Sequence, residues 1–243
     1  MKTQLIVSLL GLLAPVAASA VSINIDFGGA STPASGWNNI FIDSTSGTPI
    51  DTPVAMLDSA GNATGIFFSY DDFSSEGGNF NPNGTTGPTG GAASLPSTVT
   101  QDSLFGHVST FGLNSPVPVI HMTLSGLNAG ELYQLSYFAS RMSVGDVRTA
   151  NYSLTNGNET SVAVLDASNN TSTIASSAVL APSATGTLTL TITPDATNTN
   201  SSKFFYIGSL QIESMAATIP EPGSFAMLAG GAALGLVGLR RRR

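Results

Sequence analysis

TLTLTIT, residues 187–193, decides the fold class of this chain. Its apolar residues Leu188, Leu190 and Ile192 alternate with four threonines. Successive side chains of a β-strand point to opposite faces, so this pattern predicts a strand with one face in a core and the other towards water. Threonine also favours strands, because its β-branched side chain packs well on a pleated surface.

Similar alternation recurs along the chain, and no 3.6-residue period persists away from the two ends. Further strands are predicted at Ser22–Phe27, Val54–Leu57, Gly65–Tyr70, Leu132–Arg141, Thr149–Leu154, Ser161–Leu165 and Phe204–Glu213. A helical turn is expected only around Asp102–Phe105. Short strands separated by turn residues predict one all-β domain, residues 21–215, built as an antiparallel two-sheet β-sandwich or jelly roll. Its predicted core contains Ile25, Phe27, Ile120, Leu135, Tyr137, Leu188, Leu190, Ile192, Tyr206 and Leu210.

The N-terminus has the features of a secretory signal peptide, residues 1–20. Lys2 supplies the positive region, Leu5–Leu13 the apolar core and Ala18-Ser19-Ala20 the small residues of a cleavage site. The apolar run is too short for a spanning helix. We therefore expect signal peptidase to release a mature chain that begins at Val21.

The C-terminus has three parts in order. A linker, residues 216–223, contains Pro220-Glu221-Pro222, and residues 224–239 form an uncharged apolar segment. The chain ends in Arg240, Arg241, Arg242 and Arg243. The apolar segment predicts a short transmembrane helix, and the arginines predict a tail that stays cytoplasmic.

These three parts resemble the PEP-CTERM protein-sorting signal: a Pro-Glu-Pro motif, a short transmembrane helix and an arginine-rich end. The resemblance implies a Gram-negative-type bacterium, a transient inner-membrane anchor and recognition by an exosortase. It further implies delivery to the cell surface or extracellular matrix. The alternative is an ordinary C-terminal tail anchor with basic flanks.

The charge of the exported part excludes one class of partner. Between Val21 and Glu221 the basic residues are Arg141, Arg148 and Lys203, against 15 acidic residues, so the net charge is 3 − 15 = −12. Nucleic acid is not expected to bind so acidic a domain. The chain has no cysteine, which excludes disulfides and thiolate metal sites.

A second resemblance concerns the domain itself. Its strands open with Ile-Asp-Phe-Gly, continue through Tyr-Gln-Leu-Ser-Tyr-Phe-Ala-Ser-Arg and close with Phe-Tyr-Ile-Gly-Ser-Leu-Gln-Ile-Glu. This order looks like that of galactose-binding-like jelly-roll modules. The resemblance implies sugar binding without a catalytic cofactor, and it implies a structural calcium in some modules. Asp26 on the first strand and Glu213 on the last would be calcium ligands if those strands bring them together.

Five residues are candidates for sugar binding. Arg141 and Arg148 carry planar guanidinium groups that hold two oxygens at once. For these arginines the alternative is a structural ion pair, for instance with Asp146 or Glu159. The sole tryptophan, Trp37, would stack on a sugar ring beside the amides of Asn38 and Asn39, or would instead fill core.

No catalytic residue is predicted, because the chain has no Gly-x-Ser-x-Gly elbow and no His-Glu-x-x-His motif. The sequence therefore predicts a non-catalytic, structural protein of the bacterial cell surface. The first alternative is a carbohydrate-binding module acting on exopolysaccharide. The second is a polysaccharide-active enzyme.

Overall fold

A computed structural model describes residues 20–29, 34–40, 52–71, 80–112 and 115–216. Residues 1–19 of the predicted signal peptide, the linker from residue 217, the predicted transmembrane helix 224–239 and arginines 240–243 lie outside the described residues. Within the described ranges, no helix combines the length and the hydropathy needed to cross a membrane.

The regular secondary structure of the described residues is almost entirely β-strand, which confirms the predicted all-β class. Helix is limited to one α-helical turn, α1 (Ser97–Thr100), and one 3-10 turn (Gly90–Ala92). The strands are β1 (Ser22–Asp26), β2 (Asn38–Asn39), β3 (Val54–Leu57), β4 (Ala63–Asp71), β5 (Phe80–Asn81), β6 (Ser103–Gly106), β7 (Ile120–Ser125), β8 (Glu131–Phe138), β9 (Thr149–Thr155), β10 (Thr160–Asp166), β11 (Ala175–Ser176), β12 (Leu188–Pro194), β13 (Phe205–Ile207) and β14 (Ser209–Ala216).

The described strands form three sheets. The five-stranded sheet has the order β11-β8-β14-β1-β2, and the six-stranded sheet has the order β10-β9-β12-β7-β4-β3. A three-stranded sheet, β13-β6-β5, was not foreseen from the sequence. Neighbouring strands are antiparallel except for the parallel pair β1 and β2.

The alternating burial predicted for residues 187–193 is observed in β12. Leu188, Leu190 and Ile192 are at most 2% exposed, whereas the threonines between them are half-buried. β12 lies between β9 and β7, so its backbone is hydrogen-bonded on both sides. A fully buried leucine or isoleucine contributes about 1.5–3 kcal/mol relative to an exposed one, which makes this strand a large part of the core.

The main core lies between the five-stranded and six-stranded sheets. Tyr137 of β8 stacks on Tyr152 of β9, with ring centroids 4.8 Å apart and an angle of 18° between the planes. Phe27, which follows β1, meets Phe68 of β4 at 5.6 Å. All ten residues predicted for the core are buried.

The predicted strand Phe204–Glu213 is divided between two sheets. β13 belongs to the three-stranded sheet and β14 to the five-stranded one, with Gly208 between them. Gly208 donates its N–H to the Phe138 carbonyl at 2.8 Å. A Cβ on Gly208 would lie 3.0 Å from the Asp102 carbonyl oxygen, so the chain changes sheets where a side chain would crowd its neighbour.

The helical turn predicted at Asp102–Phe105 is wrong. The turn lies earlier, at α1, directly after Pro96, whose fixed φ suits the entry to a helix. Residues Ser103–Gly106 are strand β6 instead, because they pair with the distant β13 and with β5. Long-range pairing therefore overrides the local preference.

Candidate functional site

A cavity of about 500 Å³ opens beside the three-stranded sheet. This volume lies within the range of small-ligand sites, roughly 300–1,000 Å³. Its lining comes from four distant parts of the chain and combines aromatic rings, amides and two guanidinium groups. The lining residues are Phe80, Asn81, Pro82, Asn83, Phe105, Phe111, Arg141, Arg148, Phe204 and Tyr206.

Aromatic rings form one wall of the cavity. Phe204 lies edge-on to Phe105, with ring centroids 5.4 Å apart, and edge-on to Phe111 at 5.0 Å. Both distances fall in the favourable range for edge-to-face pairs. Phe105 is buried, whereas Phe111 is 51% exposed, so the Phe111 ring offers apolar surface to a ligand.

All three guanidinium nitrogens of Arg148 donate to side chains of the protein. Its Nε donates to Asp146 Oδ1 at 2.8 Å, its Nη2 donates to Asp146 Oδ2 at 3.3 Å, and its Nη1 donates to the Tyr206 hydroxyl. Its guanidinium carbon lies 5.4 Å from the Phe204 ring centroid. The hydrogen bond from Arg148 lowers the pKa of Asp146, so the pair is charged at neutral pH. The foreseen ion pair with Asp146 is therefore present.

Arg141 is differently placed. Its backbone N–H donates to the Ala167 carbonyl at 2.7 Å, and its carbonyl accepts from Asn169 N–H at 2.9 Å. The side-chain Nη1 donates to the Met142 carbonyl at 2.9 Å. Within the part of the chain that the structure describes, no carboxylate pairs with this guanidinium. Arg141 thus presents a fixed positive charge to the cavity.

Two asparagines complete the polar side of the cavity, and they differ in whether their side-chain amide can contact a ligand. The Asn81 amide donates to Ser103 Oγ at 2.9 Å and to the Ser140 carbonyl at 3.3 Å, so it is used inside the domain. Asn83 is exposed and is held by its backbone, whose carbonyl accepts from Met142 N–H at 2.7 Å. The Asn83 carboxamide is the one suited to a ligand.

The aromatic lining of the cavity was not predicted from the sequence, because its residues are dispersed along the chain. The four phenylalanines of the lining come from three segments far apart in the chain, so no spacing marks them as a set: Phe80, then Phe105 with Phe111, then Phe204. Only their convergence on the three-stranded sheet makes them neighbours. The arginines were identifiable because basic residues are scarce in the domain.

The structure does not bring Trp37, Asn38 and Asn39 into this cavity. Trp37 is partly buried against Ala92, Leu95 and Phe138. The Asn38 side chain bridges β1 and β3: its Nδ2 donates to the Asn24 and Leu57 carbonyls at 3.0 and 2.8 Å, and its Oδ1 accepts from Leu57 N–H at 2.9 Å. Asn39 lies beside Asp26 in the parallel strand pair. The hypothesis of one site containing Trp37 and both arginines is not supported by this placement.

The geometry also separates the two residues considered for calcium. β1 and β14 do pair, but Asp26 lies opposite Ser209 and Glu213 lies opposite Ser22. The two carboxylates are therefore four residues apart along the strands, roughly 13 Å at about 3.3 Å per residue. Asp26 is buried and Glu213 is exposed. Asp26 and Glu213 do not fit a shared calcium ion, and no group of three possible metal ligands occurs among the described residues.

Asp26 instead faces another buried carboxyl group, that of Asp102. Burial, followed by the charge of Asp102, raises the pKa of Asp26 to about 7. Burial also raises the pKa of Asp102 to about 6, although Asp102 Oδ2 accepts from Gly29 N–H at 3.1 Å. Oδ1 of each residue is buried without a hydrogen-bond partner. At least one of the two groups is therefore readily protonated near neutral pH.

Comparison with known proteins assigns the chain to no family. No protein-family model matches it, and neither the curated proteins nor the solved structures contain a significantly similar chain. The geometry of the cavity is therefore the basis on which a function is inferred.

Proposed function

We propose that this chain is an exported bacterial cell-surface or matrix protein, sorted by a PEP-CTERM signal, whose domain binds carbohydrate without catalysis. The observation that carries the binding role is the cavity in which Arg141 and the exposed Phe111 ring converge. The finer architecture is proposed with it: residues 21–215 form a jelly roll in which the two larger sheets enclose the core. The third sheet then carries the binding site.

The cavity matches the two kinds of surface that a sugar presents. The C–H face of a sugar ring is apolar and packs on an aromatic ring such as Phe111. Sugar hydroxyls need donors and acceptors, which Arg141 and the Asn83 carboxamide supply. The site is open to solvent at the exposed Phe111 ring, so we expect dissociation constants between about 1 µM and 1 mM, or about −8 to −4 kcal/mol.

The two ends of the chain motivate the proposed location. The N-terminal segment predicts export through signal peptidase, and Pro220-Glu221-Pro222 with the arginine end predicts handling by an exosortase. Together, these two signals would deliver the protein to a cell surface rich in polysaccharide. A domain that binds sugar weakly would be retained there through many contacts, since linked weak sites gain avidity.

The composition of the lining argues against the enzymatic alternative. Glycoside hydrolysis generally requires two carboxyl groups flanking the bond. Among the residues that the structure describes, no aspartate or glutamate lines this cavity. A polysaccharide-active enzyme therefore ranks below a binding module, and release of reducing sugar by the purified chain would reverse that order.

Titration of the full chain, purified in mild detergent, with surface oligosaccharides tests the binding role. Phe111→Ala should weaken binding about tenfold because it removes the exposed ring at the cavity. Phe67→Ala is the matched control, since Phe67 is a 40% exposed phenylalanine that does not line the cavity. Trp37 fluorescence should stay constant during the titration. If no surface glycan binds, the structural role replaces this one.

A further inference from the structure

The positive charge of the domain is concentrated at the cavity. Of the three basic residues between Val21 and Glu221, Arg141 and Arg148 line it, and Lys203 directly precedes the lining residue Phe204. The segment has a net charge of 3 − 15 = −12, so basic side chains are concentrated at the cavity of an otherwise acidic domain. The cavity is the surface of the described domain best suited to an anion.

Counting only the described residues, one of the two guanidinium charges in the lining is balanced by a carboxylate. Arg148 is neutralised by Asp146, with Nε and Oδ1 at 2.8 Å. Arg141 is half-buried, and among the described residues it has a carbonyl partner but no carboxylate. A partly desolvated charge is stabilised by an opposite charge that binds next to it. The site therefore has one positive charge left for a ligand.

We propose that the ligand of this cavity is an acidic sugar of the uronic acid class, with its carboxylate bound by Arg141. This inference rests on the proposed carbohydrate-binding function and adds the chemical class of the ligand. A guanidinium matches a carboxylate because two parallel N–H groups meet two oxygens. The Nη1 contact with Met142 and the backbone bonds to Ala167 and Asn169 hold Arg141 in place beforehand. Such pre-organisation lowers the entropic cost of binding.

The cavity is larger than a carboxylate needs and has an apolar side. At about 500 Å³ it has room for a sugar ring, and Phe111 supplies a face on which that ring packs. The acidic domain does not attract anions from a distance, and charges further away than about 8 Å are screened at physiological salt. Selectivity for the acid must therefore arise from contact with Arg141.

The test compares each acid with its own uncharged form on the full chain. The probes are trimers of galacturonate, glucuronate and mannuronate, each measured beside its methyl ester by titration calorimetry. We expect at least one acidic trimer to bind ten or more times more tightly than its ester. Arg141→Gln should abolish this preference. Lys203→Gln, which removes the same charge outside the lining, should retain it.

The outcomes separate this inference from the function on which it rests. If the esters bind as tightly as the acids, and Phe111→Ala still weakens binding, the proposal of an acidic ligand is wrong and the cavity is a site for neutral sugars. If none of the three acidic trimers binds, the proposal of an acidic ligand is also wrong. If the neutral oligosaccharides do not bind either, the proposed carbohydrate-binding function is wrong as well. Should Arg141→Gln not fold, the comparison of acid with ester on the unaltered chain still decides.

Discussion

Arg148 and Asp146 form a two-pronged ion pair, with Nε to Oδ1 at 2.8 Å and Nη2 to Oδ2 at 3.3 Å. This pair separates the roles of two arginines that look alike in the sequence. Arg148 is committed to the protein, whereas Arg141 has no carboxylate partner among the described residues. We therefore expect Arg148 to contribute to stability, and the ligand contact at Arg141 remains the proposal made above.

Arg148→Ala should lower the free energy of unfolding by about 1–3 kcal/mol. It leaves Asp146 and the Tyr206 hydroxyl without a strong donor, and a lost partner of a charged group costs roughly this much. Urea unfolding of the full chain measures the change. Arg141→Ala is the matched control and should cost clearly less, because it breaks no ion pair with any described residue. Equal losses would contradict the assignment.

The Asp26 carboxyl should make the fold less stable as the pH rises. Its pKa is about 7 in the folded state, against an ordinary value of 3.8, so the folded state holds the proton more tightly. The resulting stabilisation is complete below about pH 4 and is lost as the pH rises through about 7. Asp102, with a pKa of about 6, acts in the same direction over a narrower window.

Asp26→Asn should therefore raise the unfolding temperature at pH 8 and change it little at pH 4, because the amide is never ionised. Thermal unfolding at both pH values measures this. Asp58→Asn is the control of opposite sign: Asn62 hydrogen bonds lower the pKa of Asp58, so the exposed Asp58 carboxylate helps the fold at pH 8. A pH-independent effect of Asp26→Asn would show that its burial does not perturb its ionisation.

Gly106→Ala should destabilise the three-stranded sheet that carries the cavity. A Cβ at this position of β6 would fall against the buried ring of Phe205, closer than real carbon atoms approach. Overpacking of this kind costs about 1–3 kcal/mol. Gly87→Ala is the control, since no atom lies within 4 Å of its added Cβ. Chemical denaturation of both variants gives the comparison; equal stability would argue against the packing of β6 on β13.

Leu190→Ala should cost about 2–5 kcal/mol, because it leaves a cavity between the two larger sheets. Thr189→Ala, one residue away on the half-buried face of β12, should cost about 0.5 kcal/mol or less, the usual effect of a substitution outside the core. Urea midpoints measure both. Comparable losses at the two positions would contradict the assignment of β12 faces.

In a host with an exosortase, the surface form should begin at Val21 and lack Arg240–Arg243. The reason is the order of Pro220-Glu221-Pro222, an apolar segment and four arginines at the end of the chain. Mass spectrometry of protein released from the cell surface measures both ends. Peptides that reach Arg243 in that fraction would favour the tail anchor over the sorting signal.

Local sequence patterns predicted strands correctly where one face of the strand packs in the core and the other faces solvent. The alternation in residues 187–193 predicted which side chains of β12 are buried. Val54–Leu57 matched β3 in both bounds, although Met56 is the one buried residue of that strand. The same reasoning failed at Asp102–Phe105 and at Gly208. At those places the conformation depends on pairing partners that lie far away in the chain.

The two-residue period of apolar side chains was enough to predict the all-β class of the described domain, because it is the spacing of side chains on one face of a strand. The acidic charge and the ten core residues could also be identified from the sequence alone. The site could not, because it depends on how distant segments pack together. Tertiary structure placed Asp26 opposite Ser209 rather than near Glu213, and it joined aromatic residues from three segments to Arg141. Strand register and sheet packing are set by contacts between residues distant in sequence. For that reason no local pattern separates the arginine that holds the fold from the one that faces the cavity.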